Sequence, residues 1–115
     1  MPHLDHAYLK NIITLLGADH FAPLKDQFVK DCDKASVILE AAITNCDDSQ
    51  VRKQAHWLKG VLAQYGAKKG EAMAARLVDD LPSDWQNLTR ALLDETAKAC
   101  EEMAALAGSL SLIHI

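Results

Sequence analysis

The segment QAHWLKGVLAQYGA, residues 54–67, indicates an α-helix that ends at a glycine. Apolar side chains recur at steps of four and three residues, which places them on one helical face: Val51, Ala55, Leu58, Leu62 and Tyr65. Gly66 follows this stripe and is predicted to end the helix. Gly60 lies inside the helix, where glycine costs about 1 kcal/mol relative to alanine. A function that needs the space left by the missing side chain would account for it.

The same periodicity predicts four further helices along the chain. The five predicted helices cover residues 4–16, 22–45, 48–65 and 67–81, and a last stretch from Ser83 to about Leu106. Short loops between long amphipathic helices are typical of antiparallel neighbours. We therefore predict an all-α fold, an antiparallel up-down four-helix bundle with a short extra N-terminal helix. One domain is expected over residues 1–107.

Composition excludes several classes of protein. The chain has 115 residues, half of them hydrophobic, and a net charge of −4. This charge gives no general attraction to nucleic acid or to an anionic membrane, and no apolar run is long enough to span a bilayer. No two of the three cysteines, Cys32, Cys46 and Cys100, have the spacing of a CxxC motif, and each lies at an apolar position of a predicted helix. We therefore expect reduced, buried thiols in a cytoplasmic protein.

His56 lies opposite the apolar stripe of residues 48–65, in the middle of the outward face. At about 100° per residue, Gly60 and Ala63 lie within roughly 40° of it. Both are small, so the imidazole is expected to stand in a clearing. Three cations surround it on the same face: Arg52, Lys53 and Lys59. Positive charge disfavours protonation of an imidazole and stabilises a dianion attached to it.

The residues His56-Trp57-Leu58-Lys59-Gly60, followed by Tyr65-Gly66-Ala67, resemble the signature of histidine-containing phosphotransfer domains of bacterial multistep phosphorelays. The resemblance covers about residues 4–107. It implies that His56 accepts a phosphoryl group on Nε2 from an aspartate of one receiver domain and passes it to another. It further implies that Lys59 helps to hold the phosphate and that Gly60 gives the receiver room to approach. Val61 and Leu62 are bulkier than the small residues that many members have there.

The partners implied are response-regulator receiver domains and a hybrid histidine kinase, with Mg²⁺ brought by the receiver. The chain itself has no glycine-rich phosphate loop and is expected to be a monomeric phosphocarrier, not an enzyme, that binds no cofactor, metal, nucleic acid or membrane. The residues expected to contact a receiver surround the histidine: Arg52, Lys53, Trp57, Val61, Ala63 and Gln64.

Alternatives remain open at this point. The chain is also compatible with the N-terminal phosphoacceptor domain of a chemotaxis-type histidine kinase, or with a helical adaptor that is never phosphorylated. His3 and His6 have a spacing that two ligands of a metal share, but no third ligand is apparent. Lys68 and Lys69 either extend the basic rim around His56 or are solvated and inert, and the second interpretation is favoured.

The C-terminal residues 108–115 depart from the helical pattern. Leu110–Ile115 equals the translation of the end of a widely used sequencing adapter. Our hypothesis is that this tail is not native and that the natural chain continues differently. A natural, loosely structured tail is the alternative, and His114 is given no functional role.

Overall fold

The computed structural model describes the backbone of residues 3–113 and the side chains of residues 3–17 and 19–106. It contains five helices: α1 (His6–Leu16), α2 (Ala18–Thr44), α3 (Asp48–Gln64), α4 (Lys68–Asp79) and α5 (Trp85–Ile113). No strand occurs within residues 3–113, so the predicted all-α class and the number of helices are confirmed. Both α3 and α5 pack against α2 and α4, while α1 lies against α2.

The apolar stripe of α3 is buried as predicted. Each of its five members has an exposed fraction of 5% or less. Beneath it, the rings of Phe28 on α2 and Tyr65 at the end of α3 pack at a centroid distance of 4.8 Å. Burial of a side chain of this size contributes about 1.5–3 kcal/mol. The buried stripe therefore fixes the rotation of α3 and decides which residues face outward.

The start of α2 differs from the prediction. The helix begins at Ala18, four residues earlier than expected, directly after Gly17. Pro23 consequently lies in its sixth position and not in its first turn, so the helix lacks the hydrogen bond from residue 23 to the Asp19 carbonyl. Phe21, within the added turn, is only 2% exposed. Burial of this ring favours the added turn despite the proline.

The end of α2 corrects the expectation that all three cysteines are buried. Cys46 has a φ of +52° and is exposed. The Asp47 N–H donates to the Ala42 carbonyl at 2.9 Å, and the Cys46 N–H donates to the Ile43 carbonyl at 3.2 Å. These two bonds form a Schellman motif, with Cys46 in the left-handed position that usually carries glycine.

The two C-terminal helices also end at residues other than those predicted. α4 ends at Asp79, two residues before the predicted end. α5 continues through Gly108 to Ile113, past the predicted boundary at residue 107, because a single glycine weakens a helix without ending it. Within the described range, neither α5 nor any other helix is long and apolar enough to cross a membrane. His114 lies outside the described residues, and the origin of the tail stays a hypothesis.

Candidate functional site

Helix α3 has well-defined ends, which hold its outward face in place. The Asp47 carboxylate caps the N-terminus by accepting from the Gln50 N–H at 3.1 Å. At the other end, the Ala67 N–H donates to the Leu62 carbonyl at 2.9 Å and Gly66 has a φ of +74°. This Schellman motif confirms Gly66 as the residue that ends the helix. With both ends satisfied and one face buried, α3 can present a side chain rigidly.

His56 lies in the middle of α3 and is exposed, as its helical angle predicted. None of the described side chains forms a hydrogen bond or an ion pair with its imidazole, whereas the rings of His3 and His6 each contact a carboxylate. Both ring nitrogens are thus available, one of them to a reaction partner and the other to solvent.

Gly60 leaves open space one turn after His56. A Cβ built on Gly60 would meet no atom within 4 Å outside its own helix, so no packing contact requires a glycine there. Lys59 is half-buried beside it, with its ammonium group unpaired among the described residues. A cation and an unobstructed approach therefore lie next to the exposed imidazole.

The residues predicted to contact a receiver differ in their exposure and in their contacts. Ala63 and Gln64 are exposed and Trp57 is 41% exposed. Val61 is only 9% exposed, so the expectation that its side chain is a surface contact is wrong. The cause is that α3 packs against both α2 and α4, which widens the covered arc beyond the predicted stripe. Arg52 is exposed, but its guanidinium donates to the Val78 carbonyl on α4 at 3.1 Å.

A shallow groove lies between α2 and α3, beside the histidine. Its volume is about 280 Å³, and we call it the α2–α3 groove; its lining residues are Lys34, Ile38, Lys53, Gln54 and Trp57. Lys53 and Trp57 were predicted from the face of α3. Lys34 and Ile38 were missed, because nothing in the sequence shows which turn of α2 lies against α3. The groove combines an aromatic ring with two cations.

The two N-terminal histidines have a different environment. The His3 ring lies 2.7 Å from Glu95 Oε2, and the His6 ring hydrogen-bonds Glu102. Glu102 also accepts from the backbone N–H groups of His3, at 2.9 Å, and Leu4, at 3.2 Å. We call these four side chains, His3, His6, Glu95 and Glu102, the N-terminal cluster.

This cluster does not support a metal site. No group of three His, Cys, Asp or Glu side chains within the described chain is placed to hold a metal ion. Lys68 pairs with Asp5 at 3.2 Å and so joins the N-terminal segment to α4, whereas Lys69 lies 3.7 Å from Glu95 and so joins α4 to α5. Both lysines are exposed, as the favoured interpretation expected, and each also lies near a carboxylate.

Hydrogen bonding sets the ionisation of Glu102. Burial raises the pKa of this carboxyl group. The bonds from the His3 N–H, the His6 ring and the Leu4 N–H outweigh that effect and hold the pKa below its ordinary value. The carboxylate is thus charged and serves as the anchor of the first residues.

Comparison with known proteins adds the family. A family model described as the Hpt domain matches residues 23–108, which include α3 and the whole of the His56 site. Neither curated proteins nor solved structures give a significant match. Since the matched stretch is well over half of the chain, and the helical fold agrees with it, the chain belongs to the Hpt domain family, whose members carry phosphoryl groups in phosphorelay signalling.

Proposed function

We propose that this protein is a phosphorelay intermediate, in which His56 accepts a phosphoryl group from a receiver-domain aspartate and passes it to another receiver. The observation that carries the proposal is the exposed imidazole of His56, unpaired among the described side chains, on the outward face of a rigid helix. Membership of the Hpt domain family supports the same residue as the acceptor.

The proposed chemistry needs only a positioned nucleophile. A neutral Nε2 lone pair attacks the phosphorus of the aspartyl phosphate, the P–O bond breaks as the P–N bond forms, and the carboxylate leaves. The proton on Nδ1 then passes to solvent. Lys59 stabilises the charge on the phosphoryl oxygens, and Gly60 leaves room for the receiver. Most of the rate enhancement would come from positioning and from charge stabilisation.

The receiver is proposed to dock over His56 and the adjoining α2–α3 groove. Trp57 offers exposed apolar area, and Lys34 and Lys53 offer positive charge to the acidic pocket in which a receiver holds its aspartate. A transient interface of this kind buries on the order of 1,000 Å² in total. Arg52, Ala63 and Gln64 would lie at its edge.

Further properties go with this role. We propose that Mg²⁺ is supplied by the receiver and that this chain acts as a phosphocarrier without an ATP site of its own. We also propose that it is a cytoplasmic monomer that meets receivers and a hybrid histidine kinase. The packing of α3 and α5 against both α2 and α4 supports a bundle of these four helices, and we propose that neighbouring helices in it run antiparallel.

Transfer from a charged receiver tests the proposal directly. Receiver domains are phosphorylated with labelled acetyl phosphate and Mg²⁺, freed of the donor and mixed with this protein. We expect label on the protein that survives base and is lost in acid, as phosphohistidine is. His56→Gln should abolish the label.

A second exposed histidine provides the matched control. His20 on α2 is also exposed, but the residues one turn after it are Pro23 and Leu24 in place of a lysine and a glycine. His20→Gln should therefore label like the parent. If His56→Gln labels as well as the parent, or if the label survives acid, the assignment of His56 is wrong.

A further inference from the structure

A second cavity lies between α2 and α5, on the part of α2 that packs against α5 and not in the α2–α3 groove. Its volume is about 290 Å³. Cys32 from α2 and Cys100 from α5 both line it, together with Thr96 and Asp33. The two cysteines are thus far apart in the chain but adjacent in the fold. Cys32 is 1% exposed, whereas Cys100 is half-buried and faces the cavity from α5.

The two thiols differ in their readiness to lose a proton. The neighbouring Cys100 thiol, followed by burial, raises the pKa of Cys32, whereas the neighbouring Cys32 thiol lowers the pKa of Cys100. At Cys100 the effect of the neighbouring thiol outweighs burial and the nearby Asp33 and Glu101, which act in the opposite direction. The accessible thiol is therefore the better nucleophile, and the buried thiol keeps its proton.

We propose that Cys100 and Cys32 form a redox-responsive dithiol, in which a hydroperoxide that enters this cavity oxidises Cys100 and the product condenses with Cys32 to a disulfide between α2 and α5. In the first step the Cys100 thiolate attacks one peroxide oxygen, which gives a sulfenic acid and, after protonation, water or an alcohol. In the second step the Cys32 sulfur displaces the hydroxyl group as water. Each sulfur is oxidised by one electron, and the peroxide accepts two.

The remaining cysteine has none of these features. Cys46 lies at the left-handed end of α2, exposed and outside the cavity. Its replacement by glycine suits a φ of +52° and leaves the cysteine pair as the only thiols. His56 lies on α3, whereas the cysteine pair lies between α2 and α5. Oxidation of the pair can therefore be measured in protein that is not phosphorylated.

The test uses the full chain with Cys46→Gly, fully reduced and then exposed to hydrogen peroxide in native buffer. Free thiols are alkylated, and peptides are analysed by mass spectrometry without reduction. We expect a peptide pair joined through Cys32 and Cys100, with both sulfurs protected from alkylation and released by dithiothreitol. In Cys32→Ser, a dimedone adduct should collect on Cys100. In Cys100→Ser, oxidation of Cys32 should be at least about tenfold slower.

Other results would overturn the proposal. One is a cross-link that forms in urea but not in native buffer, since it would show that the folded geometry keeps the sulfurs apart. Another is conversion of Cys100 to sulfinic acid while Cys32 stays alkylatable. A third is equal peroxide reactivity of Cys32 and Cys100 in the single variants. The central measurement keeps the pair intact, so it does not depend on how the serine variants fold.

Discussion

The outward face of α3 and the N-terminal cluster surround their histidines with opposite kinds of groups. In the cluster, His3 and His6 each lie against a carboxylate of α5, and Glu102 also holds two backbone N–H groups. On α3, His56 has no carboxylate partner among the described side chains and has a lysine and a glycine within one turn. The first arrangement attaches a segment of chain, whereas the second leaves an imidazole free to react.

This difference shows why residue type alone does not identify a functional histidine. A carboxylate that binds an imidazole stabilises its protonated form and occupies a ring nitrogen, which removes the lone pair that a nucleophile needs. Neighbouring cations do the reverse and also attract a phosphoryl dianion. What surrounds the ring therefore separates a structural role from a proposed chemical one.

The largest effect is expected when the environment of His56 is made to resemble that of His6. Gly60→Glu places a carboxylate one turn after the imidazole, where it can pair with the ring and repel the phosphoryl group. We expect phosphoryl transfer from a receiver to slow by about 100-fold. The melting temperature should not fall, because glutamate favours helix more than glycine does and the position is open.

Gly60→Gln is the matched control for that substitution, since it has the same size without the charge. The glutamine variant should transfer roughly tenfold faster than the glutamate variant. Equal rates would show that the carboxylate does not matter and that only the space at Gly60 does.

A smaller effect is expected for Lys59→Ala. Loss of one cation beside the phosphoryl group should slow transfer by roughly tenfold, which corresponds to one charge-assisted hydrogen bond of about 1.4 kcal/mol. The free energy of unfolding should change by less than about 0.5 kcal/mol, because Lys59 forms no ion pair among the described residues. Stopped-flow transfer and urea denaturation measure the two quantities. Lys10→Ala, at an exposed position of α1, should alter neither, and a fall in stability for Lys59→Ala alone would assign that lysine a structural role.

Much of the α3 face was predictable from the sequence, because it depends on local periodicity. The angles that place Val51 and Leu58 inward also place His56 outward, and the structure agrees. Val61 was missed because the width of the covered arc depends on two neighbouring helices. The Hpt signature added the proposed roles of His56 and Lys59, which no periodicity supplies.

The N-terminal cluster was not predictable in the same way. Its bonds join residues more than 90 positions apart, such as His3 and Glu95, and no short-range pattern marks such pairs. Phe21 shows the same limit, since it is buried in the turn that extends α2 ahead of a proline. At these two places distant contacts override local preference. Cys46 was missed for a local reason, because a Schellman motif there carries a cysteine in the left-handed position that usually carries glycine.

Replacement of Gly66 and of Gly60 by alanine should change the free energy of unfolding in opposite directions. Gly66 has a φ of +74°, and a Cβ there would lie 3.0 Å from Tyr8 Cδ1 and 3.1 Å from Asp5 Cβ. Gly66→Ala should lower the free energy of unfolding by about 1–3 kcal/mol. Gly60→Ala should raise it by up to about 1 kcal/mol, and it should slow transfer because it narrows the approach to His56. Urea denaturation of both variants checks the signs, and a Gly60→Ala protein with unchanged transfer would remove the reason given for that glycine.

The smallest effect concerns the carboxylate that holds the N-terminal segment. The folded pKa of Glu102 is below its ordinary value of 4.5, so its stabilisation is fully present above that pH and is lost as the pH falls through the lowered value. Glu102→Gln should cost about 1 kcal/mol near pH 6, since hydrogen bonds to a charge are weakened, and the difference from the parent should shrink toward pH 3. Thermal unfolding at several pH values measures this difference.

Glu101→Gln is the control for that measurement, because Glu101 precedes Glu102 in the chain but is exposed. Its stability should follow the parent at every pH, and His56→Gln should do the same. A carboxylate and an imidazole that hold each other contribute to the folding free energy, whereas an imidazole that nothing holds contributes nothing to it and is free for chemistry. If His56→Gln were to destabilise the fold as Glu102→Gln does, the contrast between the two regions would fail, and His56 would be a structural residue like His3 and His6.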